Sequence, residues 1–190
     1  RLEGSTAINL TANSFQNNAY AIYSTKANYT RINASAENTF TNQGSSTVTI
    51  KGRTAGIYAT GGKVSVGGKT ITISGGTNDA GGYGIFTGGT TGAIVRVSGG
   101  TAGTVTVTGG TQGNAIWNKS GSTYISGGTV VITSTRTTNG VYPVRVEAGL
   151  VDIRSTKAGI TITSTKDYGI YVSSGTISNG TVNAIATGAL

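Results

Sequence analysis

Chemistry carried by side chains needs a proton carrier, a nucleophile or a metal ligand, and this chain is poor in all three. It holds no histidine, cysteine or methionine. Without histidine it lacks the commonest general base and metal ligand at neutral pH. Without cysteine it has neither disulfide nor thiolate, so the redox compartment cannot be read from it. Its carboxylates are Glu3, Glu37, Asp79, Glu147, Asp152 and Asp167, six in 190 residues. Hydrolysis of a glycosidic bond uses two carboxylates about 5–10 Å apart, and calcium-assisted chemistry needs several clustered oxygen ligands. Glu147 and Asp152 are the nearest pair in sequence, with Arg145 and Arg154 beside them. They read as surface ion pairs at a corner rather than as a catalytic dyad. Glycine strings such as Gly81-Gly82-Tyr83-Gly84 lack the Gly-Lys-Ser/Thr element and the following helix of a phosphate loop, and read as turns. The expectation is a protein that is not an enzyme, with no catalytic residue, metal or cofactor.

Binding is the remaining chemistry. Six aromatic residues each follow a small residue and an aliphatic one: Ala21-Ile22-Tyr23, Gly56-Ile57-Tyr58, Gly84-Ile85-Phe86, Ala115-Ile116-Trp117, Gly140-Val141-Tyr142 and Gly169-Ile170-Tyr171. If both aliphatics of Ile170-Tyr171-Val172 face inward, Tyr171 faces out, and its five counterparts join it in an external column. Exposed rings stack on sugars while Tyr and Trp keep a polar edge; rings can equally stack on one another and seal a wall. The densest basic group is Lys51, Arg53, Lys63 and Lys69, in a chain of net charge +8. Such charge draws anionic polymers, or serves solubility. The candidate ligand-binding residues are therefore Tyr23, Tyr58, Phe86, Trp117, Tyr142 and Tyr171, with Lys51, Arg53, Lys63 and Lys69. A different surface is suggested by Thr47/Thr49, Thr70/Thr72, Thr104/Thr106 and Thr161/Thr163. As paired ladders on one wall they resemble the Thr-x-Thr arrays of ice-binding solenoids. Unequal repeat lengths and the break at Val131 argue against a lattice match.

These residues must be positioned by an internal repeat. The aliphatics of the aromatic motif stand at Ile22, Ile57, Ile85, Ile116, Val141 and Ile170, so copies fall 25–35 residues apart. Upstream of the last five lies a period-2 segment: Thr47–Ile50, Thr70–Ile73, Thr104–Val107, Thr129–Ile132 and Gly159–Ile162, with Ile8-Asn9-Leu10 as a degenerate first copy. Alternation of Val or Ile with Thr is the pattern of a half-buried strand. A third segment follows: Val64-Ser65-Val66, Val95-Arg96-Val97, Tyr124-Ile125-Ser126, Val151-Asp152-Ile153 and Thr176-Ile177-Ser178, several ending in Gly pairs that suit sharp corners. Three short strands per repeat predict an all-β fold, a right-handed, single-stranded parallel β-helix (solenoid) of about six to seven coils. One interior ladder would be Val48, Ile71, Val105, Val130 and Ile160, and another Ile57, Ile85, Ile116, Val141 and Ile170. Right-handedness follows the general preference of parallel crossovers. An antiparallel sandwich is disfavoured, because the repeat runs in one direction with no mirrored copy. Little helix is expected.

Composition agrees. Glycine supplies 32 residues, proline one, and only 11% are charged, against about 25% in ordinary domains. The length fits a single domain over 1–190, with less regular coils over 1–44 and regular ones over 45–190. No run of 18 apolar residues could span a membrane. The chain starts at Arg1 without Met, as a processed form or fragment would. The tail from Thr181 to Leu190 begins a strand and shows no polar cap, so the helix is expected to continue in a longer protein or to stack on another subunit as a filament. Sequons begin at Asn9, Asn28, Asn33, Asn118 and Asn179, about as many as this Ser and Thr content yields by chance.

The Thr-x-Thr, Gly-Ile-Tyr and Ser-Gly-Gly-Thr units, over roughly residues 45–190, resemble the β-helical regions of bacterial cell-surface adhesins and autotransporter passengers with a pectin-lyase-like fold. Phe15-Gln16-Asn17-Asn18 and Phe40-Thr41-Asn42 are similar to Phe-x-x-Asn repeats of some such passengers. The resemblance implies export, cell-surface display and adhesion. The functional expectation is an extracellular structural or adhesive module that binds host or environmental glycans or anionic surface polymers, or serves as a stalk. No specific nucleic acid partner is expected. A filament subunit, an ice-binding solenoid and a polysaccharide-acting enzyme are the alternatives.

Overall fold

The computed structural model describes residues 1–13, 18–26, 29–76, 81–90, 92–135, 140–165, 168–174, 176–179 and 182–186. Phe15, Gln16, Asn17, Asn28, Asp79, Asp167 and the chain ends at 181 and 187–190 lie outside them. The described residues are all β, with no helix. In chain order the strands are β1 (Ala7–Ala12), β2 (Tyr20–Ser24), β3 (Tyr29–Ile32), β4 (Ala34–Ala36), β5 (Thr39–Phe40), β6 (Thr47–Gly52), β7 (Ala55–Ala59), β8 (Lys63–Gly67), β9 (Thr70–Gly75) and β10 (Tyr83–Thr87). They continue as β11 (Ile94–Ser98), β12 (Thr104–Gly109), β13 (Ile116–Asn118), β14 (Ser122–Ser134), β15 (Val144–Val146), β16 (Leu150–Ser164), β17 (Ile170–Val172), β18 (Thr176–Asn179) and β19 (Val182–Ala186).

The strands lie mostly parallel in curled sheets, and each pairs with strands about one repeat away in sequence. A first stack runs β1, β6, β9, β12, the second half of β14, the second half of β16 and β19. A second stack runs β2, β7, β10, β13, β15 and β17. A third runs β3, β8, β11, the first half of β14, the first half of β16 and β18. The long strands β14 and β16 carry the chain from the third stack into the first, so these two stacks form one 11-stranded sheet. The pairing of β4 with β5 is antiparallel.

Period 2 explains why these segments are strands. On β6 and β12 every second residue is buried and its neighbours are not. The ladder Val48, Ile71, Val105, Val130 and Ile160 is in register across five strands, as the repeat suggested. These side chains join Ile57, Ile85 and Ile116 of the second stack and Val64, Val95 and Val151 of the third in one core. Each buried aliphatic contributes about 1.5–3 kcal/mol. The second ladder needs a correction: Ile116 pairs with Val144, and Val144 with Ile170, so Val141 is not a member.

Corners are closed by glycine where backbones nearly touch. Gly110 donates its N–H to the Gly82 carbonyl at 2.5 Å. A Cβ on Gly110 would sit 1.6 Å from the Gly76 oxygen. At another corner Gly149 has φ +85°, and a Cβ there would fall 2.1 Å from the Gly121 oxygen. Both positions exclude a side chain sterically.

The hairpin β4–β5 leaves the third stack at Asn33 and the chain returns at Asn42, with φ of +47° and +56°, the left-handed region that asparagine tolerates. The buried Asn33 amide closes its base. Its Nδ2 donates to Ser46 Oγ at 2.9 Å, and its Oδ1 accepts from the Gly4 N–H at 2.9 Å and from Asn42 Nδ2 at 3.3 Å. Asn118 is likewise buried: it donates to the Gly121 and Leu150 carbonyls and accepts from Thr87 Oγ1. The sequons at Asn33 and Asn118 are therefore structural positions, closed to a sugar in the folded chain.

Candidate functional site

Three kinds of surface result, because each stack turns a different set of residues outward. On the second stack the outward register is Tyr23, Tyr58, Phe86, Trp117, Arg145 and Tyr171. Arg145 stands where Tyr142 was expected. The motif Gly140-Val141-Tyr142 has the right residue types, but Val144-Arg145-Val146 forms the strand, immediately after Pro143. Tyr142 sits beside the column, its N–H bonded to Asn114 Oδ1 at 2.7 Å and its ring stacked on Tyr171 at 4.7 Å and 10°. A second correction concerns β17: Ile170 is half-buried and Val172 is 44% exposed, so the two aliphatics are not both inside. That strand pairs only with β15 among the described residues.

The rings stack chiefly on each other. Tyr58 lies between Tyr20, at 4.3 Å and 23°, and Phe86, at 4.4 Å and 14°. Both of its faces are thereby occupied. Phe86 is only 7% exposed, with the Trp117 ring meeting it at 81°. Trp117 Nε1 donates to Glu147 Oε1 at 3.1 Å, and that same oxygen takes Arg145 Nη2 at 2.7 Å. Arg145 lies 5.1 Å from the Trp117 centroid and 5.9 Å from that of Tyr171, bridging the gap in the column. Tyr23, 59% exposed, keeps the most open ring of the column. Burial, with the neighbouring phenols Tyr58, Tyr23 and Tyr83, raises Tyr20 above its ordinary value; burial, then Tyr23, does the same to Tyr58.

The basic group does not assemble. Lys51 projects from the first stack, in register with Thr11 and Ser74. Arg53 lies in the turn between β6 and β7, and Lys69 in the turn between β8 and β9. Lys63 begins β8 on the third stack and is ion-paired to Glu37 Oε2 at 2.5 Å. Residues a few positions apart in a strand–corner repeat leave one face for the next. Residues two apart within one strand, or a whole repeat apart, share a face.

The Glu147 and Asp152 carboxylates each have their own arginine. Arg145 holds Glu147, while Arg154 grips Asp152 with Nε at 2.9 Å from Oδ1 and Nη2 at 2.7 Å from Oδ2. No group of three or more metal-ligating side chains occurs among the described residues.

One constellation on the third stack escaped sequence reading. Arg96, Tyr124 and Asp152 are in register on adjacent strands and point outward. The Arg96 guanidinium lies 3.7 Å from the Tyr124 ring centroid, and its Nε donates to Glu37 Oε1 at 3.1 Å. Glu37 belongs to the hairpin, whose backbone is tied down by Ser65 Oγ donating to the Glu37 carbonyl at 3.0 Å. The hydrogen bond from Lys63, then that from Arg96, holds the Glu37 carboxyl below its ordinary range against the opposing effect of burial. Between hairpin and stack runs a groove of about 300 Å³, lined by Asn38, Phe40, Tyr124, Ser126, Asp152 and Arg154 among others. The Asp152 side chain is 8% exposed and that of Arg154 68%, so the carboxylate orients a guanidinium that reaches solvent. The signal for this site was available: Arg96, Tyr124 and Asp152 occupy one phase of the repeat, 28 residues apart. The hairpin that roofs it had no counterpart in the repeat.

Comparison with family models, with curated proteins and with solved structures found no match for this chain.

Proposed function

We propose that the chain is a right-handed parallel β-helix from an exported surface protein, and that it is an adhesive module gripping a glycan in the groove beneath the β4–β5 hairpin. The helical reading rests on three stacks of parallel pairs offset by one repeat, on a core drawn from all three, and on the near-universal right hand of parallel crossovers. The carrying observation for binding is the groove itself. It joins a fixed carboxylate–guanidinium fork, Asp152 and Arg154, to the rings of Tyr124 and Phe40. Asp152 orients the guanidinium, whose remaining N–H groups can donate to sugar hydroxyls, and rings cover the C–H surface of a sugar. A volume near 300 Å³ is at the lower end of small-ligand sites and suits one saccharide unit.

The aromatic column is assigned mainly to stiffness, since self-stacking covers the faces of Tyr58 and Phe86. Cross-strand ring pairs contribute about 0.5–1.5 kcal/mol each. A stiff, sealed body between attachment points is what a stalk needs, so the adhesive and stalk readings describe one molecule. The deciding experiment is a glycan array followed by NMR titration of any hit. Binding should vanish in Tyr124→Ala and in Arg154→Ala and persist in Trp117→Ala, with circular dichroism unchanged in all three. An empty array, or hits that depend on Trp117 and ignore Arg154, would end the groove reading.

A further inference from the structure

The outward face of the first stack differs from the other two in a way that strand propensity does not explain. Five adjacent strands, β6, β9, β12 and the second halves of β14 and β16, present three columns. One reads Thr47, Thr70, Thr104, Thr129 and Gly159; the next Thr49, Thr72, Thr106, Val131 and Thr161; the last Lys51, Ser74, Thr108, Thr133 and Thr163. Twelve of these fifteen positions are Ser or Thr, and Lys51 is the one charge among them. If Thr were present only because it suits exposed strands, the third stack would carry it too. On β8, β11, β14 and β16 that stack turns out Lys63, Ile94 and Ser122 in one column, Ser65, Arg96, Tyr124 and Asp152 in the next, and Ser98, Ser126 and Arg154 in the last, with serines but no threonine among them.

The register also answers the objection from unequal repeats. Thr47 to Thr70 spans 23 residues and Thr70 to Thr104 spans 34, yet the two steps pair without a shift. The irregularity recorded in β14 with β16 falls at Gly127–Thr129, at the edge of the face. The face stays in register although the strands are joined by segments of different length. One expectation is corrected by this register: Thr161 belongs with Thr49, Thr72 and Thr106, and Thr163 with Thr108 and Thr133, so Thr161/Thr163 is not the continuation of Thr47/Thr49.

The hydroxyl and methyl groups therefore repeat in two directions, about 4.8 Å across strands and about 6.6 Å along them. β-Branching restricts each Thr at χ1, so the array is stiff. A stiff, almost uncharged array with two fixed periods offers water hydrogen-bonding positions on a fixed two-dimensional net. Liquid water gains nothing from that order, whereas a solid lattice of water can share it over the whole face. We infer that the first-stack face of this chain binds the surface of ice through its Thr columns.

The test uses the full chain and a slowly grown ice hemisphere, with an inert globular protein of similar charge as the reference. The wild-type chain should be enriched in the ice and should shape crystals or slow their recrystallisation. Thr106→Lys, at the centre of the face, should lose that enrichment with an unchanged circular dichroism spectrum. Thr90→Lys, in a turn after β10, should keep it. Enrichment no greater than the reference, or equal enrichment of wild type and Thr106→Lys, would overturn the inference. Retention on crystalline cellulose or chitin instead of ice would replace it with a different solid. No sugar enters the ice assay, so its failure leaves the groove reading untouched, and the reverse also holds.

Discussion

The outer faces of the first and third stacks are built on the same inward pattern and have opposite characters. Below the first lie Val48, Ile71 and Val105; below the third lie Val64, Val95 and Val151. Above them, one face repeats Thr in three columns, and the other gathers arginines, tyrosines and a nearly buried aspartate under a hairpin. In a parallel stack the inward residues are bound by packing, while each outward residue is answerable only to its neighbours in register. The same 11-stranded sheet can therefore carry a periodic face and an aperiodic groove.

The two faces rest on one core, and the largest effect is expected there. Ile73→Ala, under the Thr face, should cost about 2–5 kcal/mol, the usual range for deleting a fully buried aliphatic. Val97→Ala, under the charged face, should destabilise in the same cooperative transition. Thermal melts followed by circular dichroism would show it. If one substitution loosened only its own face, the two faces would not share a core.

Acid separates the faces by a smaller amount. Glu37 has its carboxyl pKa lowered by Lys63 and Arg96, so it stabilises the folded state above the ordinary carboxyl value. That contribution is lost as pH falls through the lowered folded value. Surface pairs of this kind are worth about 0.2–1 kcal/mol. NMR signals of Asn38 and Phe40 should shift on acidification, and in Glu37→Gln at neutral pH, while those of Thr72 and Thr106 stay in place. Equal shifts on both faces would mean that the hairpin is not held by these ion pairs.

The smallest effect is expected on the Thr face itself. Thr106→Val should change stability by no more than about 0.5 kcal/mol, since Val131 already occupies the same column. A larger loss in a denaturant melt would show that the hydroxyl columns support the fold and not only the surface.

The interior was legible because a buried position in one repeat must be matched in the next. Val48, Ile71, Val105, Val130 and Ile160 were identifiable from alternation alone and pair as alternation required. Legibility failed where the local motif had two equivalent settings. Gly140-Val141-Tyr142 and Val144-Arg145-Val146 both offer an aliphatic next to a large side chain, and only pairing with Ile116 selects the second. It fails again for Lys51, Arg53, Lys63 and Lys69, which are near in sequence but lie on two different stacks and two different turns. The groove was hidden for the opposite reason: its members are distant in sequence, and its roof comes from a segment without a repeat.

The sequence by itself determined the repeating strands of the first stack, which face of each is apolar and how far apart the copies lie, because alternation and glycine corners are local. Only the tertiary structure decided register, and with it which outward side chains meet. Register is a property of two strands and of every residue between them. A few residues more or fewer in a corner leave the alternation of each strand intact while changing its neighbours.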